Sequence, residues 1–69
     1  MIKLMEVNQT PDLKKIIVAF ADAKTDVGTG KSDTTIEGVD FDYDAGSLIY
    51  TADFKYALLD SDGNWNWKE

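Results

Sequence analysis

Between Val39 and Asp44 the chain reads Val39-Asp40-Phe41-Asp42-Tyr43-Asp44, with apolar and acidic residues in strict alternation. Successive side chains of an extended segment point to opposite sides. A strand here therefore carries one hydrophobic face and one face lined by carboxylates. We expect this strand over Thr35–Tyr43. Gly38 interrupts its alternation, and a bulge there returns Ile36 to the side of Val39, Phe41 and Tyr43.

Alternation resumes from Leu48 to Leu59. Leu48, Tyr50, Ala52, Phe54, Tyr56 and Leu58 share one side, and Ile49, Thr51, Asp53, Lys55, Ala57 and Leu59 the other. Asp62-Gly63 is a strong hairpin signal. As a two-residue turn it sets Leu58 opposite Trp67 and Asp60 opposite Trp65, so both tryptophans join the side of Tyr50. A turn at Ala45-Gly46 sets Phe41 across from Tyr50. The apolar inner face is then predicted to hold Val39, Phe41, Tyr43, Tyr50, Leu58, Trp65 and Trp67.

Upstream, Thr10-Pro11-Asp12 reads as a helix start, with Thr10 as cap, Pro11 in the first turn and Asp12 at the positive end of the dipole. Leu13, Ile16, Ile17 and Phe20 follow at helical spacing. The β-branched run Ile16-Ile17-Val18 also suits a strand. Met1–Val7 reads as a short strand and Thr25–Asp33 as a loop. The predicted fold class is α+β, in the order β-α-β-β-β. One helix packs on a sheet that ends in a three-stranded antiparallel meander, and residues 1–69 form a single small domain.

Charge is unevenly placed. Residues 1–35 hold five lysines and five acids; residues 36–69 hold two lysines and eight acids, which accounts for the net charge of -6. The chain has no arginine, so clustered cations for nucleic acid or anionic lipid are lacking. Neither direct nucleic-acid binding nor a membrane partner is expected. A basic protein surface is the natural electrostatic partner. No long apolar segment follows the N-terminus, so a cytoplasmic location is the default expectation.

Cysteine and histidine are both absent. Disulfides, Cys/His zinc sites and the common nucleophile–base pairs are excluded with them. Gly28-Thr29-Gly30-Lys31-Ser32 ends like a phosphate-binding loop, but Thr25 stands where that motif needs its first glycine. Asp60-Ser61-Asp62-Gly63-Asn64 opens like a calcium loop, but Trp65 replaces the required glycine and the distal glutamate is missing. A hairpin turn accounts for it better. Asp40 and Asp42 lie about 6.8 Å apart by strand rise, a spacing known in glycosidases. They fall on an open face without a cleft, so no enzyme activity is expected. No cofactor is implied.

The feature with the sharpest functional reading is the acidic ladder Asp40, Asp42 and Asp44, with Glu37 and, on the next strand, Asp53. Two carboxylates about 7 Å apart in water repel by only about 0.6 kcal/mol, so the ladder is affordable as a merely solvated face. Aspartate is nevertheless a poor strand residue. Ile49 and Leu59 fall among these acids as apolar anchors. The sequence thus predicts a non-enzymatic acidic binding module. It engages a basic protein through the outer face of its meander, in the sharpest version as a phage or prophage inhibitor imitating nucleic-acid phosphates. The alternative is a structural or assembly subunit, a phage-particle component or a homo-oligomer pairing through strand edges. Trp65 and Trp67 read as core rather than as a stacking platform.

Overall fold

A computed structural model describes residues 1–68. It contains one five-stranded sheet, β1 (Ile2–Gln9), β2 (Lys15–Ala21), β3 (Leu48–Thr51), β4 (Tyr56–Leu59) and β5 (Trp65–Lys68), arranged in chain order. The β1–β2, β3–β4 and β4–β5 pairs are antiparallel, and β2–β3 is parallel. Helical structure among the described residues is confined to two 3-10 turns, Lys24–Asp26 and Lys31–Asp33.

The expected α+β fold with a packed helix is therefore incorrect: the chain is mostly β. The segment assigned to the helix is the end of a hairpin and strand β2. Its β-branched residues favour the extended backbone, and Ile17, Ala19 and Ala21 are buried at every second position. Leu13, taken as part of a helical face, sits exposed in the turn.

Three hairpin tips share one hydrogen-bond pattern. In Thr10–Lys14, Thr51–Lys55 and Asp60–Asn64, the first N–H donates to the fifth carbonyl at 2.8, 2.8 and 2.9 Å, and the fourth N–H donates back to the first carbonyl at 3.0, 3.2 and 3.1 Å. The first side-chain oxygen accepts the fifth N–H at 3.2, 3.3 and 2.9 Å. The fourth residue is left-handed in each: Leu13 at φ 67°, Phe54 at 68° and Gly63 at 83°. This is a three-residue hairpin loop. It splits the long strand predicted over Leu48–Leu59 into β3 and β4.

The loop also corrects the last register. Ala57 pairs with Trp67 and Leu59 with Trp65, one residue away from the two-residue turn expected at Asp62-Gly63. A shift of one residue moves side chains to the opposite face. Both tryptophans therefore turn to the side of Ile49, Ala57 and Leu59; Trp65 joins these in the core with Ile2, Ile17, Ala19, Ala21, Ile36 and Tyr43, and Trp67 packs against it partly buried.

Residues 22–47 form a strap between the parallel strands β2 and β3. It bridges β5 through Gly30 opposite Asn64, then β1 through Glu37 opposite Lys3. The strand expected over Thr35–Tyr43 is part of this irregular strap, and among the described residues its bridge to the sheet is the one at Glu37. Its alternation nonetheless works as a two-sided pattern. Ile36 and Tyr43 are buried, Val39 and Phe41 pack partly buried against the core, and Asp40 and Asp42 face solvent. Gly38 passes over β1 at φ 94°, and a Cβ there would stand 3.4 Å from the Leu4 Cβ. Ser47 locks the strap to the sheet: fully buried, its hydroxyl donates to the Asp44 carbonyl at 2.8 Å and accepts the Ile17 N–H at 3.1 Å.

Candidate functional site

The strap coats one face of the sheet only. On the other face β2, β3 and β4 present Ile16, Val18, Phe20, Leu48, Tyr50, Tyr56 and Leu58, of which Tyr56 is exposed and the others half-buried, with Gly46 at the end of the strap beside Ile16. Burial alternates accordingly, with each buried residue of these strands preceded by an apolar one that is half-buried or, at Tyr56, exposed. Tyr56 is 41% exposed. The rings of Phe20 and Tyr50 meet edge to face with centroids 5.2 Å apart.

Pairing arranges this face in two rows. Lys3, Phe20, Tyr50, Tyr56 and Lys68 run across the sheet in one, and Glu6, Val18, Leu48, Leu58 and Asn66 in the next. The bulge between Leu4 and Glu6 places both charged residues of β1 on this side. The first row is aromatic at its centre and the second aliphatic. Charges stand only at the outer strands. An apolar centre with a polar rim is the pattern of an association surface.

The residues proposed from sequence are dispersed. Glu37, Asp40 and Asp42 are exposed on the strap, and Asp44 is half-buried at its end. Asp44 is held by its backbone, its N–H donating to the Lys15 carbonyl at 2.9 Å. The bridge of Glu37 to Lys3 brings this one acid to the margin of the open face. Asp42 is paired with Lys31, whose ammonium lies 2.6 Å from the carboxylate and 3.0 Å from the Tyr43 carbonyl. Hydrogen bonding and charge from that lysine hold the Asp42 carboxyl below its ordinary range. Asp53 is at the β3–β4 tip, at the opposite end of β3 from Asp44, and accepts from the Thr51 hydroxyl. Asp40, Asp42 and Asp44 therefore lie on a segment that belongs to no strand of the sheet, not on the strand expected to space them. Ile49 is fully buried and Leu59 is 4% exposed, so both are core residues rather than surface anchors.

The remaining motifs have structural work. The Asp60 carboxylate accepts the N–H groups of Asp62 and Asn64, both at 2.9 Å, and the Asn66 amide at 2.8 Å. These bonds, with Asn64 contributing most, lower the Asp60 pKa. The carboxylate caps a hairpin. Lys31 of the glycine-rich segment serves Asp42 and Tyr43. Trp65 is buried beside Tyr43, their ring centroids 6.3 Å apart, and half-buried Trp67 lies under the Lys24 ammonium at 5.1 Å.

Sequence reasoning divided Leu48, Tyr50, Tyr56 and Leu58 correctly from Ile49, Ala57 and Leu59 but chose the wrong set as interior. It missed Ile16, Val18 and Phe20 as surface residues, because they were assigned to a helix; their β-branched run was the available signal. Among the described residues, no helix is long and apolar enough to cross a membrane. No protein-family model, curated protein or solved structure matches the chain.

Proposed function

We propose that this chain is a non-enzymatic interaction module that works by burying the open face of its sheet against protein. The observation that carries this reading is the uncovered stripe from Ile16 to Leu58. Sheets are stable when their apolar face is packed against another layer, and here a second layer exists on one side alone. The open face offers phenols and aliphatic groups, which suit association more than proton transfer.

The acids enter this reading as a long-range term. Glu37, Asp40 and Asp42 project from the strap, and the net charge is -6. Such a surface steers a basic partner toward the molecule and makes association faster at low salt. Contact energy comes from the apolar stripe. The alternative role as an assembly subunit uses the same face, with a copy of the chain as the partner.

The test is Tyr50→Lys, which places a charge at the centre of the stripe. We expect association with protein to be lost while the circular dichroism spectrum is unchanged. Asp40, Asp42 and Asp44 changed together to Asn should keep the same bound proteins and flatten the salt dependence. Retention of every bound protein by the folded Tyr50→Lys variant would overturn the proposal.

A further inference from the structure

We infer that the occupant of the open face is a second copy of this chain, packed sheet to sheet about a two-fold axis running across the strands. The inference rests on the open face of the proposed function and commits it to the assembly role, with an equally acidic copy in place of a basic partner.

The way the two rows meet selects the axis. Face-to-face sheets align their strands to within about 30°, so a symmetric pair has two simple choices of axis. An axis along the strands superposes each row on itself in reverse. Lys3 then lies over Lys68 of the second copy, like charge on like charge, and Tyr50 meets Tyr50. An axis across the strands instead lays the first row on the second. Phe20, Tyr50 and Tyr56 then rest on Val18, Leu48 and Leu58 of the second copy, large rings against smaller aliphatic groups. Such alternation of large and small is how facing layers interdigitate.

The same axis places β1 over β1. Lys3 then faces Glu6 of the second copy, and Glu6 faces its Lys3, so the contact is repeated twice by symmetry. Within one chain no ion pair involves Lys3 or Glu6 among the described residues. Lys68 meets neutral Asn66. The axis across the strands therefore fits the row shapes and sets Lys3 against Glu6, with Glu37 beside Lys3 at the outer edge, whereas the other axis sets lysine against lysine and ring against ring.

The contact is small. Five strands separated by four spacings of about 4.8 Å, and four residues of about 3.3 Å each, cover roughly 19 by 13 Å, below the usual size of a permanent interface. The pair should therefore form reversibly, and a concentration series is needed to see it.

The experiment is sedimentation of the full chain over a wide concentration range, with circular dichroism as a check on folding. The wild type should pass from monomer to dimer, and Tyr50→Lys should remain monomeric. Lys3→Glu and Glu6→Lys should each raise the dissociation constant about tenfold, and the double variant should return to within about twofold of the wild type. A dimer that survives Tyr50→Lys, or charge variants that fail to compensate, would overturn this geometry. A wild type that stays monomeric at every concentration would overturn the second copy as occupant. In that case, association with a different protein that Tyr50→Lys abolishes would leave the proposed function standing, and association that it does not affect would remove both.

Discussion

Leu13 and Phe54 occupy the same position in two different hairpins, at φ 67° and 68°. The segments read Thr10-Pro11-Asp12-Leu13-Lys14 and Thr51-Ala52-Asp53-Phe54-Lys55, a short repeat of Thr, any residue, Asp, a large apolar residue and Lys. The threonine and aspartate are linked side chain to side chain in each, and the threonine hydroxyl caps the lysine N–H. The third tip has the glycine that this backbone prefers.

A left-handed backbone costs a residue with a Cβ roughly 1–2 kcal/mol, and glycine gives back about 0.5–1 kcal/mol through its freer unfolded chain. Phe54 is 95% exposed, so removing its ring sacrifices no core. Phe54→Gly should therefore stabilise the fold by about 0.5 kcal/mol. Urea denaturation checks this, and a clear loss of stability would show that the ring is held by contacts elsewhere.

The identity of the buried face is tested by neighbouring residues. Ile49→Ala should cost about 3 kcal/mol, as for a fully enclosed aliphatic side chain. Tyr50→Ala should cost about 1 kcal/mol or less in dilute protein. Equal effects in chemical denaturation would mean that both faces are packed.

Ser47→Ala leaves the buried Ile17 N–H without its acceptor. The expected loss is about 1–2 kcal/mol. Amide hydrogen exchange should show Ile17 less protected while Val18 changes little; an unaltered Ile17 would mean the hydroxyl is dispensable.

Acid should unfold the protein through its turn carboxylates. Asp12 and Asp53, each bonded to a threonine hydroxyl, and Asp60, bonded to backbone N–H groups, all have pKa values below the ordinary 3.8. A lowered native pKa contributes stability above the unfolded value, and that stability is lost as pH falls through the native value. Thermal midpoints should be level near pH 6 and fall below about pH 4. Asp60→Asn should make that fall shallower. A midpoint independent of pH down to about 2 would contradict this account.

The limits of legibility lie in parity and turn length. Tyr50 pairs with Tyr56 across a three-residue loop, and such a loop preserves the even–odd alternation of an unbroken strand. Leu48–Leu59 therefore looks the same as one strand or two. At Asp62-Gly63 the question was whether the loop held two residues or three, and one residue decided which face received the tryptophans. Inward Ile36, Val39, Phe41 and Tyr43 were readable because alternation needs only extended backbone, with or without a ladder. Their acidic neighbours were accordingly placed outward but without the regular spacing of a strand. Leu13, Ile16, Ile17 and Phe20 imitated a helix because a turn residue happened to fall in step with β2.

The strap has a consequence for how the chain reaches its native state. Two local ribbons, β1–β2 and β3–β5, need only tight turns, and such contacts form within microseconds. Joining β2 to β3 requires closure of the whole 22–47 connection, whose entropy must be overcome before the parallel pairing gives any return. Folding should thus be limited by docking of two preassembled ribbons, with the strap's inward side chains acting as the adhesive between them.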